Sequence, residues 1–117
     1  MIINKISHKG FNEKVLTFYT DGTIAPGALV KLDSNGKLIK AANTDFIGVA
    51  VSQRGQTVAV QVEGYVEAGA VVSGLSYGWC GLICDEIGKV IDRGDGAPKK
   101  YLVVKLDSSN SIVGFIL

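Results

Sequence analysis

The stretch Thr57-Val58-Ala59-Val60-Gln61-Val62-Glu63-Gly64-Tyr65-Val66-Glu67 alternates by twos. Val58, Val60, Val62 and Val66 hold the even positions, and Thr57, Gln61, Glu63 and Glu67 hold odd ones. Successive side chains of an extended backbone point to opposite faces, so the pattern predicts one long strand with an apolar face and a polar face. Tyr65 falls on the polar face beside Glu63 and Glu67. Shorter runs at 28–32, 37–40, 46–51, 80–84, 89–91, 101–106 and 112–117 are rich in Val, Ile, Leu and aromatic residues, which suit a pleated, half-buried surface. Phe11, Val15 and Phe18 have helical spacing, but the neighbouring Thr17, Tyr19 and Thr20 favour a strand, and a strand is expected there.

Turn chemistry separates these runs. Asp33-Ser34-Asn35-Gly36 lies between Val30-Lys31-Leu32 and Lys37-Leu38-Ile39 and supplies residues that tolerate positive φ, so a β-hairpin is expected. Asp21-Gly22, Pro26-Gly27, Arg54-Gly55, the segment 92–98 and Ser108-Ser109-Asn110 mark further reversals. The chain also resembles itself. The hairpin at 28–39 is answered by Gly81-Leu82-Ile83-Cys84-Asp85-Glu86-Ile87-Gly88-Lys89-Val90-Ile91. Each is followed by a polar stretch and an apolar run with one glycine, Phe46-Ile47-Gly48-Val49-Ala50-Val51 and Ile112-Val113-Gly114-Phe115-Ile116-Leu117. The expected fold is all-β: a small single-domain β-barrel or sandwich-like module over 1–117, with two pseudo-repeated hairpin-plus-strand units on one core and at most one short helix. Residues 1–10 read as an N-terminal arm, and the apolar 112–117 run as a final strand or a contact between subunits.

Composition narrows the function classes. With 47% hydrophobic residues, the 117-residue chain can bury enough surface to fold, while a net charge of +1 gives no long-range field to attract nucleic acid or anionic lipid. No apolar run is long enough to span a bilayer, and the N-terminus lacks the apolar stretch of a signal peptide, which implies synthesis in a cytoplasm. Cys80 and Cys84 would stand roughly 13 Å apart on an extended strand, whereas a disulfide needs about 4.4–6.8 Å, so a bridge would require a turn. Two buried free thiols are expected.

Candidates for catalysis are few. A Ser-His-Asp or Cys-His arrangement would have to use His8, the single histidine, which lies among Ser7, Lys9 and Gly10 near the terminus and reads as a surface residue. Asp33, Asp85, Asp92, Asp95 and Asp107 fall mostly at turns, where Asp caps backbone N–H groups. Asp33-Ser34-Asn35-Gly36 lacks the glycine and glutamate spacing of a calcium loop, and Gly74, Gly78 and Gly81 lack the dinucleotide-binding spacing. Arg93-Gly94-Asp95 matches a cell-adhesion tripeptide and reads as a chance match in a turn. No cofactor, metal or small-molecule substrate is expected, and no enzymatic activity. The candidate partner contacts are instead apolar: Tyr65, Tyr77 and Trp79 among the aromatics, with Ile2, Ile3 and Ile6 in the N-terminal arm. Trp79 has two readings, a core filler or an interface anchor.

Ala25-Pro26-Gly27-Ala28-Leu29-Val30-Lys31-Leu32, then Gly36-Lys37, then Phe46-Ile47-Gly48-Val49-Ala50, resembles the capsid decoration (cement) proteins of tailed bacteriophages and prophages. The similarity continues through 58–64 and Ala68-Gly69, and through the second copy from Ser76-Tyr77-Gly78-Trp79 to Leu117. It implies a non-enzymatic virion protein on the capsid exterior, assembled as a homotrimer and clamping major capsid protein subunits together. Two alternatives stay open: a carbohydrate-binding or adhesin-like β-module stacking Tyr65, Tyr77 and Trp79 on sugars, and a tail or baseplate subunit.

Overall fold

A computed structural model describes residues 13–117. Among the described residues, ten strands form two five-stranded antiparallel sheets. The first holds β1 (Lys14–Tyr19), β2 (Leu29–Leu32), β3 (Leu38–Lys40), β4 (Gly48–Arg54) and β5 (Thr57–Glu63), in the order β1-β5-β4-β2-β3. The second holds β6 (Tyr65–Gly69), β7 (Gly78–Cys84), β8 (Val90–Asp92), β9 (Lys100–Asp107) and β10 (Ile112–Ile116), in the order β6-β10-β9-β7-β8. Each strand of the first sheet therefore has a counterpart five strands later. The all-β reading holds: the only helical segments among the described residues are two single 3-10 turns, Val72–Gly74 and Gly94–Gly96. The segment with helical spacing at Phe11, Val15 and Phe18 is extended from Lys14 onward.

The hairpins show why the two halves fold alike. In the first, one Asp33 carboxylate oxygen accepts the N–H groups of Asn35 and Lys37 at 2.8 and 2.9 Å. In the second, Asp85 accepts those of Ile87 and Lys89 at 3.0 and 2.9 Å. Gly36 and Gly88 both donate to the carbonyl of that Asp at 3.1 Å, with φ of +79° and +86°, a conformation that a glycine adopts without a side-chain clash. Ser34-Asn35 and Glu86-Ile87 differ between them because the turn requires only the Asp, the Gly and a following Lys backbone.

Two sequence-based expectations need correction. The long alternating strand is two strands, because the chain turns at Gly64, whose φ is +94°, and passes from the first sheet into the second. Alternation persists through the break, since both pieces bury valines, and so it conceals the break. The repeat is also a five-strand unit rather than a hairpin with one returning strand. The glycine-bearing runs at 46–51 and 112–117 lie mainly on β4 and β10, which are not counterparts in the two sheets. Their glycines serve different neighbours: a side chain at Gly48 would strike the Gln61 carbonyl, and one at Gly114 would strike the Tyr65 ring.

The apolar residues form two clusters. Val30, Leu38, Ala50, Val58 and Val60 line the inner face of the first sheet, with Ile24 from the β1–β2 connection folded over them. The larger cluster joins both sheets. Leu29, Ala41, Phe46 and Val49 of the first half pack with Val66, Leu82, Cys84, Tyr101, Val103, Val113 and Phe115 of the second. Leu29 and Val30 are adjacent and belong to different clusters, so β2 buries both of its faces. Three rings form the joint: Phe46 stacks on Tyr101 at 5.3 Å, and Phe115 meets Phe46 and Tyr101 at 5.8 and 5.4 Å. Main-chain bonds add to it, from Asn43 N–H to the Asp85 carbonyl and from Cys84 N–H to the Thr44 carbonyl.

Candidate interaction surface

On β7, Cys80, Leu82 and Cys84 face the core, which turns Trp79, Gly81 and Ile83 to the other face. Trp79 is 69% exposed and Tyr77 64%, so the two readings of Trp79 resolve in favour of the surface. The smaller Cys80 takes the adjoining core position, with its thiol donating to the Ser76 carbonyl at 3.2 Å. Strand pairing extends the Trp79 position into a row. Trp79 is opposite Leu102 on β9, Leu102 is opposite Ile116 on β10, and Ile116 is opposite Tyr65 on β6. Leu102 and Ile116 are half-buried. Such lateral neighbours stand about 5 Å apart, so their side chains make one continuous apolar strip.

Tyr65 ends the row and corrects the expectation of an exposed anchor, being only 7% exposed. Gly114 leaves room for its ring on the sheet, and its hydroxyl donates to the Glu67 carboxylate at 2.7 Å. Burial, then that hydrogen bond, raises its pKa well above the ordinary tyrosine value. Lys105 Nζ reaches the same carboxylate at 3.1 Å, closing one end of the strip with charge. Ile2, Ile3 and Ile6 lie outside the described residues, as does His8. Leu102 is not among the contact residues expected from the sequence, and Ile116 enters only as part of the 112–117 run. Their sign was available: Tyr101-Leu102-Val103-Val104 is apolar on both faces of its strand, which a sheet facing water on one side does not need.

The remaining candidate motifs have local structural roles. The Arg93-Gly94-Asp95 tripeptide opens the 3-10 turn that lies over Gly81, held by a bond from Arg93 N–H to the Gly81 carbonyl at 2.7 Å. Asp92 accepts the Gly94 N–H at 2.7 Å. Cys80 and Cys84 are free and buried. Among the described residues, no group of three or more His, Cys, Asp or Glu side chains is placed to hold a metal ion, and no helix is long and apolar enough to cross a membrane.

The core ionisable groups carry a pH dependence. Burial, helped by Asp85 and Asp45, pushes the Cys84 thiol up to about 12. Burial, then Asp45 and Cys84, pushes the Tyr101 hydroxyl up to about 12. In the unfolded chain these groups ionise near their ordinary values of about 8.5 and 10. Unfolding therefore releases protons above about pH 9, and stability falls as pH rises from there to about 12. Urea midpoints measured at pH 7, 9 and 10.5 should fall over the last step. Cys84→Ser, which removes the thiol, should flatten that fall; an equal alkaline loss in the variant would contradict the assignment.

Models of known protein families give no match to this chain, and neither do curated proteins.

Proposed function

We propose that the chain is a non-enzymatic decoration protein of a tailed-phage head, a homo-oligomer that binds the capsid exterior and bridges major capsid subunits. What carries the reading is the apolar strip ending in Trp79, with Tyr77 exposed nearby, held on paired strands rather than on a mobile loop. Rigid aromatic side chains lose little entropy on docking and anchor many protein interfaces. The resemblance of 25–50 to cement proteins supports the same reading, and its residues build the β2–β3 hairpin and the start of β4.

The energetics suit a small adhesive protein. A protein that binds the assembled shell and not its separated subunits stabilises the shell by about 2.7 kcal/mol per site at a hundredfold excess over Kd. An interface of standard size buries about 800 Å² on each partner, and linking several such contacts in an oligomer raises avidity by roughly 10²–10⁴. Added to undecorated, expanded heads, the purified protein should bind and raise the temperature at which DNA is released on warming. No binding and no shift in release temperature would overturn the reading.

The two exposed rings also favour a glycan-binding module, since an exposed aromatic platform is what sugar stacking requires. In that case a glycan array should return a preferred oligosaccharide, and Trp79→Ala should abolish its binding while the protein works as a monomer.

A further inference from the structure

The two halves can be superposed by their bulges as well as by their strand order. In the first sheet Val51 is the extra residue of β4, since Ala50 pairs with Val60 and Ser52 with Ala59. In the second, Val104 is the extra residue of β9, since Val103 pairs with Phe115 and Lys105 with Gly114. The second pair beyond each bulge starts an equivalent row. In the first sheet it is Leu29–Val49–Gln61–Val15, across β2, β4, β5 and β1. In the second it is Trp79–Leu102–Ile116–Tyr65, across β7, β9, β10 and β6. Both rows lie on the face opposite their own sheet's inner cluster.

The fates of the two rows differ. Leu29 and Val49 are 3% and 7% exposed because they are seated in the core of the second half. Trp79 stands where Leu29 stands and is 69% exposed. Ile116 in place of Gln61 makes the second row the more apolar of the two, and its open part is the Trp79 end, since Leu102 and Ile116 are half-buried and Tyr65 is 7% exposed. The receiving side shows the same contrast. Val66 on β6, an inner-face residue paired with Phe115, is 4% exposed and shares a cleft of about 320 Å³ with Val49 at the contact between the halves. Its counterpart on β1 is Leu16, paired with Val60, and Leu16 is 45% exposed. Around the first-sheet core Phe18, Ala28, Leu32, Ile47 and Val62 are only partly buried.

We propose that the Trp79–Leu102–Ile116 row of one copy seats on the open side of the first-sheet core, at Leu16, of a second copy. The contact within the chain is thus repeated between chains. It joins two different surfaces, so it runs head to tail, and the assembly proposed is the closed ring that such a contact makes when the rotation from copy to copy closes. This inference rests on the self-association in the reading above and concerns the free protein, without any capsid.

Sedimentation of the free protein tests it. The wild type should form a closed oligomer, and Trp79 emission should move to shorter wavelength as protein concentration rises. Trp79→Asp and Leu16→Asp change exposed side chains, and each should keep the wild-type circular dichroism while weakening self-association on the order of 30-fold or more. Mixed in equal amounts, the two variants should form dimers and nothing larger. Each such pair has one intact contact, the Trp79 row of the Leu16→Asp copy on the Leu16 side of the other. If either aspartate variant loses its fold, Trp79→Ser and Leu16→Ser carry the same test. A wild type that stays monomeric, or a Leu16 variant that assembles like the wild type through a symmetric Trp79 contact, would overturn the proposal. So would a mixture that stays monomeric, as when residues 1–12 of the same chain cover the row. A monomer that still binds heads overturns this inference and the homo-oligomer in the reading above while leaving the capsid binding standing; a ring that ignores heads overturns the capsid binding alone.

Discussion

Phe115→Ala is expected to lower unfolding stability by about 3–5 kcal/mol, the cost of removing a buried aromatic side chain and leaving a cavity. Phe115 is fully buried and touches both other rings of the joint between the halves. Aromatic ring pairs contribute about 0.5–1.5 kcal/mol each beyond the area they bury, and this substitution removes two, one edge-on with Tyr101 and one tilted with Phe46. A domain of this size has a total stability of about 5–15 kcal/mol, so the variant sits near the limit of folding. Urea unfolding followed by circular dichroism measures the loss. A change below about 1 kcal/mol would mean that the ring cluster does not hold the halves together.

The second large effect is expected at Gly48. A Cβ there would fall on the Gln61 carbonyl and a Val60 methyl, and the carbonyl belongs to a paired central strand that cannot yield without breaking its ladder. Gly48→Ala should cost about 3 kcal/mol, the upper end of what overpacking costs, and lower Tm by roughly 10–20 °C. Gly22→Ala is the control, because a Cβ at Gly22 meets nothing within 4 Å. Equal melting temperatures for the two variants would contradict the packing described around β4.

Much of this fold was legible in the residues, and the parts that were not have physical reasons. Alternating valines and Asp-Gly turns gave strand positions close to those observed, since period-2 burial and turn chemistry are local properties. The break at Gly64 was hidden because a strand that changes sheets keeps its alternation. The five-strand repeat was hidden because β1 and β6 share no residues in register beyond being apolar and extended. Only the ladders identify them as counterparts. At the surface, Trp79 was ambiguous because a tryptophan next to a core strand serves either face equally well, and the smaller Cys80 settled it by taking the inner position. Tyr65 was misplaced for a related reason. Its exposure depends on Gly114, which lies 49 positions later in the chain and leaves the space its ring occupies.

Gly64 alone separates β5 from β6, and the Leu117 N–H donates to its carbonyl at 2.9 Å, tying the end of the last strand to the junction. So short a tether holds the two halves at a mutual effective concentration in at least the millimolar range. Joining them is a unimolecular event, and dilution leaves it unchanged. The contact proposed between copies uses a similar surface without a tether, so its occupancy follows protein concentration. Progressive dilution therefore separates copy from copy while each chain stays closed on itself, and an oligomer of this kind comes apart into intact two-sheet subunits.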